Sequence, residues 1–168
     1  MNDLTVRRAR TGDVPAIRRL IDHYAADRIL LDKPTVTLFE DIQEFWVAEV
    51  DTDGTLAGCG ALHVMWRDLA EVRTIAVSPE FRGLGVGHAI LEKLLATAGW
   101  LGVRRVFCLT FETRFFAGHG FTELDESGVD AGVAAELSRS ADEGIAEFLD
   151  LERVKPNTLG NTRMLKRL

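Results

Sequence analysis

The sequence predicts an α+β domain built around a mixed sheet. Three observations lead there. Strand-like and helix-like stretches follow one another in the order β-α-(α)-β-β-β-α-β-α-β. A turn, Asp51-Thr52-Asp53-Gly54, joins two apolar strands as a hairpin. A glycine-rich turn from Arg82 to Gly87 feeds a strand directly into a helix.

Each element has its own local cause. Leu4 to Ala9 reads as a short strand. Thr11-Gly12-Asp13 then offers a turn and an N-cap oxygen, with Pro15 tolerated in the first helical turn. Val14, Ile17, Leu20, Ile21 and Tyr24 recur at helical spacing and form one apolar stripe. Ile29 to Pro34 reads as a loop, and a short helix is predicted over Leu38 to Gln43. Phe45 to Val50, Leu56 to Trp66 and Glu71 to Val77 read as strands. The helix after the glycines places Ile90, Leu91, Leu94, Leu95 and Ala98 on one side and should stop near Gly99. Val103 to Phe111 is a strand, Thr113 to Ala117 a short helix, and Gly120-Phe121-Thr122 begins another extended piece. Between Glu123 and Glu152 ten acidic residues face one basic residue, Arg139, which reads as a solvated helical insertion. The basic tail returns to a strand.

Composition narrows the function. A chain of 168 residues without repeats or linkers fits a single domain, 1–168, with a core of its own. Its net charge of -6 argues against nucleic acid or an anionic membrane as partner, because phosphate binding needs a basic surface. The two cysteines, Cys59 and Cys108, lie in apolar strands without metal-ligand spacing and are expected as free thiols in a reducing compartment. The charged N-terminus has no signal-peptide core, and no apolar run is long enough to span a bilayer, so a cytoplasmic location is expected. The histidines show neither triad nor metal spacing, and no metal is expected.

The glycine turn carries the chemistry. Glycines at 83, 85 and 87 leave bare backbone where a ligand can lie against N–H groups, and the following helix adds unpaired donors and a positive dipole end. Arg82 adds a full charge. Together they suit a phosphate or pyrophosphate. The dinucleotide fingerprint fails, because Ile90 stands where its third glycine belongs, and a P-loop fails because His88 follows Gly87.

Arg82-Gly83-Leu84-Gly85-Val86-Gly87 resembles the R/Q-x-x-G-x-G/A signature of the GCN5-related N-acetyltransferases (GNAT), and the apolar strand end Thr74 to Val77 precedes it as in that family. Phe115-Phe116-Ala117-Gly118-His119-Gly120-Phe121 resembles the second signature, an aromatic pair followed by x-x-x-G-F. The resemblance implies the GNAT fold, a mixed, mostly antiparallel sheet with flanking helices, in which the strands on either side of the glycine-loop helix splay apart. It implies acetyl-CoA as co-substrate, its pyrophosphate on the glycine loop and its pantetheine arm in the splay. The coenzyme-binding residues so implied are Ile75, Ala76, Val77, Arg82, Gly83, Leu84, Gly85, Val86, Gly87, His88 and Phe116.

Acetyl transfer to an amine needs a base, an oxyanion site and a proton for the departing thiolate. Residues i and i+2 of a strand share a face, so Glu71, Arg73 and Ile75 line up, with Glu71 the candidate general base through a water. A surface Glu71–Arg73 pair is the structural alternative. Backbone N–H groups of Ile75 to Val77 are the expected oxyanion donors. The family often protonates the thiolate with the tyrosine of its aromatic pair, yet Phe116 stands there, and the sole tyrosine, Tyr24, lies in the first helix. Thr113 is the substitute candidate, with an N-cap role as the alternative.

Stretches at 29–33, 44–49, 59–64, 107–113 and 154–165 resemble the acetyltransferase domain of bacterial N-acetylglutamate synthases, above all the short stand-alone form that starts arginine biosynthesis. This implies L-glutamate, or L-glutamine, as acceptor. The amino-acid-kinase domain of the longer synthases is not in this sequence, so any feedback by arginine is expected at another surface. A pocket of Arg73, Lys33 and the segment Asn161, Thr162, Arg163, with Leu30 on the substrate methylenes, is expected to hold its carboxylates. Ordinary surface charges are the alternative use of these cations. A general amine or protein N-terminal acetyltransferase and a non-catalytic acetyl-CoA sensor stay open, as does the oligomeric state, a homodimer among the options.

Overall fold

The apolar stripe after Asp13 folds into α1, Val14–Ala26, and buries Val14, Ile17, Leu20, Ile21 and Tyr24. The structure, a computed structural model, describes residues 3–30, 32–151 and 160–168. Two compact units make it up: Met1–His63 with Val72–Trp100, and Val64–Glu71 with Leu101–Leu168.

In the first unit, β1 (Leu4–Arg8) pairs antiparallel with β2 (Phe45–Val50), which pairs antiparallel with β3 (Leu56–Trp66), whose last three residues, from Val64 on, belong to the second unit. Beside β3 runs β4 (Leu69–Val77), whose Val72–Val77 part belongs here. One core gathers the α1 stripe with Leu38, Ile42, Phe45, Val47, Cys59, Ala61 and Ala76. Three expectations shift. Asp13 occupies the N-cap of α1 without capping it, because its carboxylate is held by the Arg7 guanidinium at 2.8 Å and by the Arg10 N–H at 2.7 Å. The short helix, α2, starts earlier, at Thr35–Glu40, and a 3-10 turn follows over Ile42–Glu44. The glycine-loop helix, α3, spans Val86–Leu101 and runs through Gly99; the left-handed glycine that stops it is Gly102, at φ 87°.

The second unit holds Leu69–Glu71 of β4, then β5 (Arg105–Thr110), α3's last residue, α4 (Thr113–Gly118), β6 (Thr122–Glu123), α5 (Ala131–Leu137), α6 (Glu143–Leu149) and β7 (Thr162–Arg167). Its strand order is β4-β5-β7-β6. The β4–β5 ladder is parallel and covers only Leu69↔Arg105, Ala70↔Val106 and Glu71↔Phe107, although both strands run on beyond it. β7 pairs antiparallel with β5 and with β6, as the returning tail predicts. The sheet is thus mixed and mostly antiparallel.

The acidic segment is more than a solvated insertion. Asp130 and Asp142 cap α5 and α6 through the N–H groups of Val133 and Ile145. Leu137, Ile145 and Phe148 then pack with Met65, Leu69, Phe107 and Leu165 in one core. Acidic residues between the apolar positions hide this pattern when only charge is counted.

Candidate active site

Two glycines in β3 bring α3 close to the sheet. A Cβ on Gly60 would lie 2.8 Å from Ile90 Cγ2, and one on Gly58 would lie 2.9 Å from the Ala76 carbonyl oxygen and 3.0 Å from Val86 Cγ1. Bare backbone at both positions therefore lets the first turns of α3 sit beside the end of β4. The alternating Gly58-Cys59-Gly60 is a readable sequence signal of such an approach.

After β4 the chain makes a 3-10 turn over Pro79–Phe81 and enters the glycine loop. Gly83 and Gly85 adopt φ of 76° and 79°, and nothing lies within 4 Å of a Cβ built on either. Their glycines thus answer a left-handed backbone, not internal crowding. The space before them is open. The Ala89 N–H bonds the Gly85 carbonyl at 3.0 Å and starts the helical ladder. Val86, Gly87 and His88 consequently sit in the first turn, where N–H groups have no acceptor inside the helix. Leu84 and His88 are exposed, Gly87 half-buried and Val86 buried.

β4 is not a plain strand. Thr74, 8% exposed, holds a left-handed backbone at φ 58°, where a β-branched residue is strained. The Cys59 thiol donates to its carbonyl at 3.6 Å. Half-buried and buried residues alternate through Thr74, from Arg73 to Val77, despite its left-handed backbone. No sequence pattern announced that conformation. At the strand's end the Ser78 N–H bonds the Ala57 carbonyl of β3 at 2.8 Å, which turns the N–H and carbonyl of Val77 to the edge away from β3.

Tyr24 meets that edge. Its hydroxyl donates to the Val77 carbonyl and accepts from Arg82 Nη2 at 2.8 Å and Nε at 3.2 Å. The guanidinium also lies 5.3 Å from the Tyr24 ring centroid. Sequence reasoning located Tyr24 in the first helix and could not see this contact across more than fifty residues.

Of the expected acceptor residues, the first unit holds Leu30, Lys33 and Arg73. Leu30 packs against the core, and the half-buried Lys33 offers its carbonyl to Arg18. Leu31 and residues 154–159 of the quoted stretches lie outside the described residues. The second unit holds Glu71, Thr113, Phe116 and Asn161 to Arg163. Glu71 is 4% exposed, which overturns the reading of a surface pair. Burial, and then the Glu71 charge, push the neighbouring Cys108 thiol upward. Thr113 opens α4, while Glu112 occupies the N-cap, so Thr113 is not the cap. Phe116 is buried, edge-on to Phe115 and Phe121, each at 5.1 Å. In β7, Thr162 faces Thr110 and Arg163 faces Leu109 of β5.

Residues 41–123 match the family described as Acetyltransferase (GNAT) domain. Strand order, parallel β4–β5 pair and glycine-loop helix define the same class, a GNAT acetyltransferase. An amino-acid acetyltransferase of Mycobacterium tuberculosis is 61% identical over 95% of this chain and 92% of its own length. A crystal structure from that organism, in complex with CoA and NLQ, matches with a TM-score of 0.93 at 60% identity, covering 98% of this chain and 99% of its own. The N-acetylglutamate synthase of Neisseria gonorrhoeae, complexed with coenzyme A and N-acetyl-glutamate, matches at a TM-score of 0.79 and 28% identity over 100% of this chain and 36% of its own. The chain belongs to the amino-acid acetyltransferases of the GNAT family, and it is an enzyme.

Proposed function

We propose that this enzyme transfers the acetyl group of acetyl-CoA to the α-amino group of L-glutamate, the entry step of arginine biosynthesis. One observation carries the proposal. A left-handed glycine loop opens α3 in a chain that aligns along its whole length with a synthase solved with coenzyme A and N-acetyl-glutamate.

The pyrophosphate lies against the N–H groups of the Gly83–His88 turn, where bare backbone and the helix dipole meet it. The amine attacks the thioester carbon directly, the C–S bond breaks, and the thiolate takes up a proton. Glu71 removes the amine proton through a water; its burial in β4 keeps that carboxylate from bulk solvent. The oxyanion is held by backbone donors of Ile75 to Val77, of which the Val77 N–H faces away from β3. One such donor is worth about 3 kcal/mol. Phe116 cannot donate a proton, so Thr113 or a water beside it gives the proton to the departing thiolate. Arg73, Lys33 and the Asn161–Arg163 segment meet the two carboxylates, and Leu30 the methylenes.

The test is a screen of the twenty amino acids with acetyl-CoA, reading released thiol. Glutamate should give the highest kcat/KM. A higher value for glutamine would move the acceptor to the amide, and turnover with neither would refute the reading.

A further inference from the structure

We infer that Tyr24 is a positioning residue for the coenzyme: its hydroxyl latches the Arg82 guanidinium to the end of β4. This rests on the coenzyme reading of the glycine loop and adds to it a residue that neither signature contains.

One oxygen makes three bonds. The Tyr24 hydroxyl gives its single proton to the Val77 carbonyl and accepts two N–H groups of Arg82, at 2.8 and 3.2 Å. That fills the capacity of a phenolic oxygen. Tyr24 therefore has no proton to lend to a thiolate, and the sole tyrosine of the chain is a fixture and not an acid. The fixture is rigid, because Tyr24 is 8% exposed in α1 and the His23 ring stands edge-on to it at 5.0 Å.

The physical need is plain. Arg82 is exposed at the head of the glycine loop, and a long side chain there must give up rotamer freedom to meet an anion. Two N–H bonds that converge on one oxygen, and the ring beside it, set the plane of the guanidinium before any ligand arrives. Because the same hydroxyl holds Val77, the position of Arg82 is tied to the strand end itself. Preorganisation of this kind raises affinity without adding a contact.

Tyr24→Phe keeps the ring and removes only the hydroxyl. The dissociation constant for CoA, read by calorimetry, should rise about tenfold, the loss of one charge-assisted bond. The KM for glutamate and the melting temperature should stay near wild type. Arg82→Lys, which keeps charge but loses the fork, should show the same rise. In an Arg82→Ala background, Tyr24→Phe should add nothing. Unchanged CoA binding in Tyr24→Phe would overturn the latch, and so would full additivity of the two substitutions. Gly85→Val separates the underlying reading. If that variant, folded, still binds CoA as wild type does, the loop is not the coenzyme site and the latch fails with it.

Discussion

Glu71 is the side chain on which the proposed reaction depends first. It is 4% exposed in a strand, and a carboxylate so far from solvent is where a shifted, working base is found. Glu71→Gln preserves shape and removes the base. The rate at neutral pH should fall about 10²- to 10⁴-fold and recover in part as pH rises and more of the amine is unprotonated. A wild-type rate and pH profile would make Glu71 structural. The cations are tested by their selectivity. Arg73→Ala and Lys33→Ala should each raise the KM for glutamate far more than that for acetyl-CoA, and glutamine should be less sensitive to whichever cation meets the side-chain carboxylate. Small, equal effects on both substrates would return them to ordinary surface charges.

At the level of elements, close packing of α3 on β3 does the positioning. Gly60→Ala places a Cβ 2.8 Å from Ile90 Cγ2, 3.1 Å from Ile75 Cγ1 and 3.2 Å from Leu94 Cδ1. Overpacking of this kind costs about 1–3 kcal/mol, and the helix start should move with it. Denaturant unfolding should record the loss, together with a higher KM for acetyl-CoA. A stable variant with raised KM would mean that the helix shifts rather than strains; unchanged values in both would show that α3 does not need this approach. The contrast with Gly83 and Gly85 is instructive. Those two are glycine for their backbone angles and meet open space, so similar residues in one short chain answer different demands.

Across the whole molecule, the two cysteines report on the two units separately. Cys59 belongs to the first and Cys108 to the second, and both are fully buried. Burial pushes the Cys59 thiol up to about 12, so neither access nor ionisation favours reaction in the folded state. A disulfide reagent at pH 8 should find no fast thiol in the native protein and both in denaturant. Comparing Cys59→Ser with Cys108→Ser should then give the opening rate of each unit. A fast-reacting thiol in the native enzyme would contradict the burial of that residue. Among the described residues, no helix is long and apolar enough to cross a membrane.

The sequence by itself determined the elements whose cause is local. The α1 stripe, the Asp51–Gly54 hairpin, the glycine loop with its following helix and the returning β7 all rest on periodicity or turn chemistry within a few residues. The loop's anion chemistry sits in one continuous stretch as well, and the acetyltransferase reading followed from the resemblance of that stretch and of Phe115 to Phe121 to the family's two signatures. Tertiary structure decided the rest. The left-handed Thr74 is held by its surroundings and has no local signal. The acidic segment's buried face depends on an apolar partner, Phe107, far away in sequence. The meeting of Tyr24 with Val77 and Arg82 arises only once α1 has packed its stripe, because a hydrogen bond across that separation is fixed by the fold and not by the neighbours of either residue.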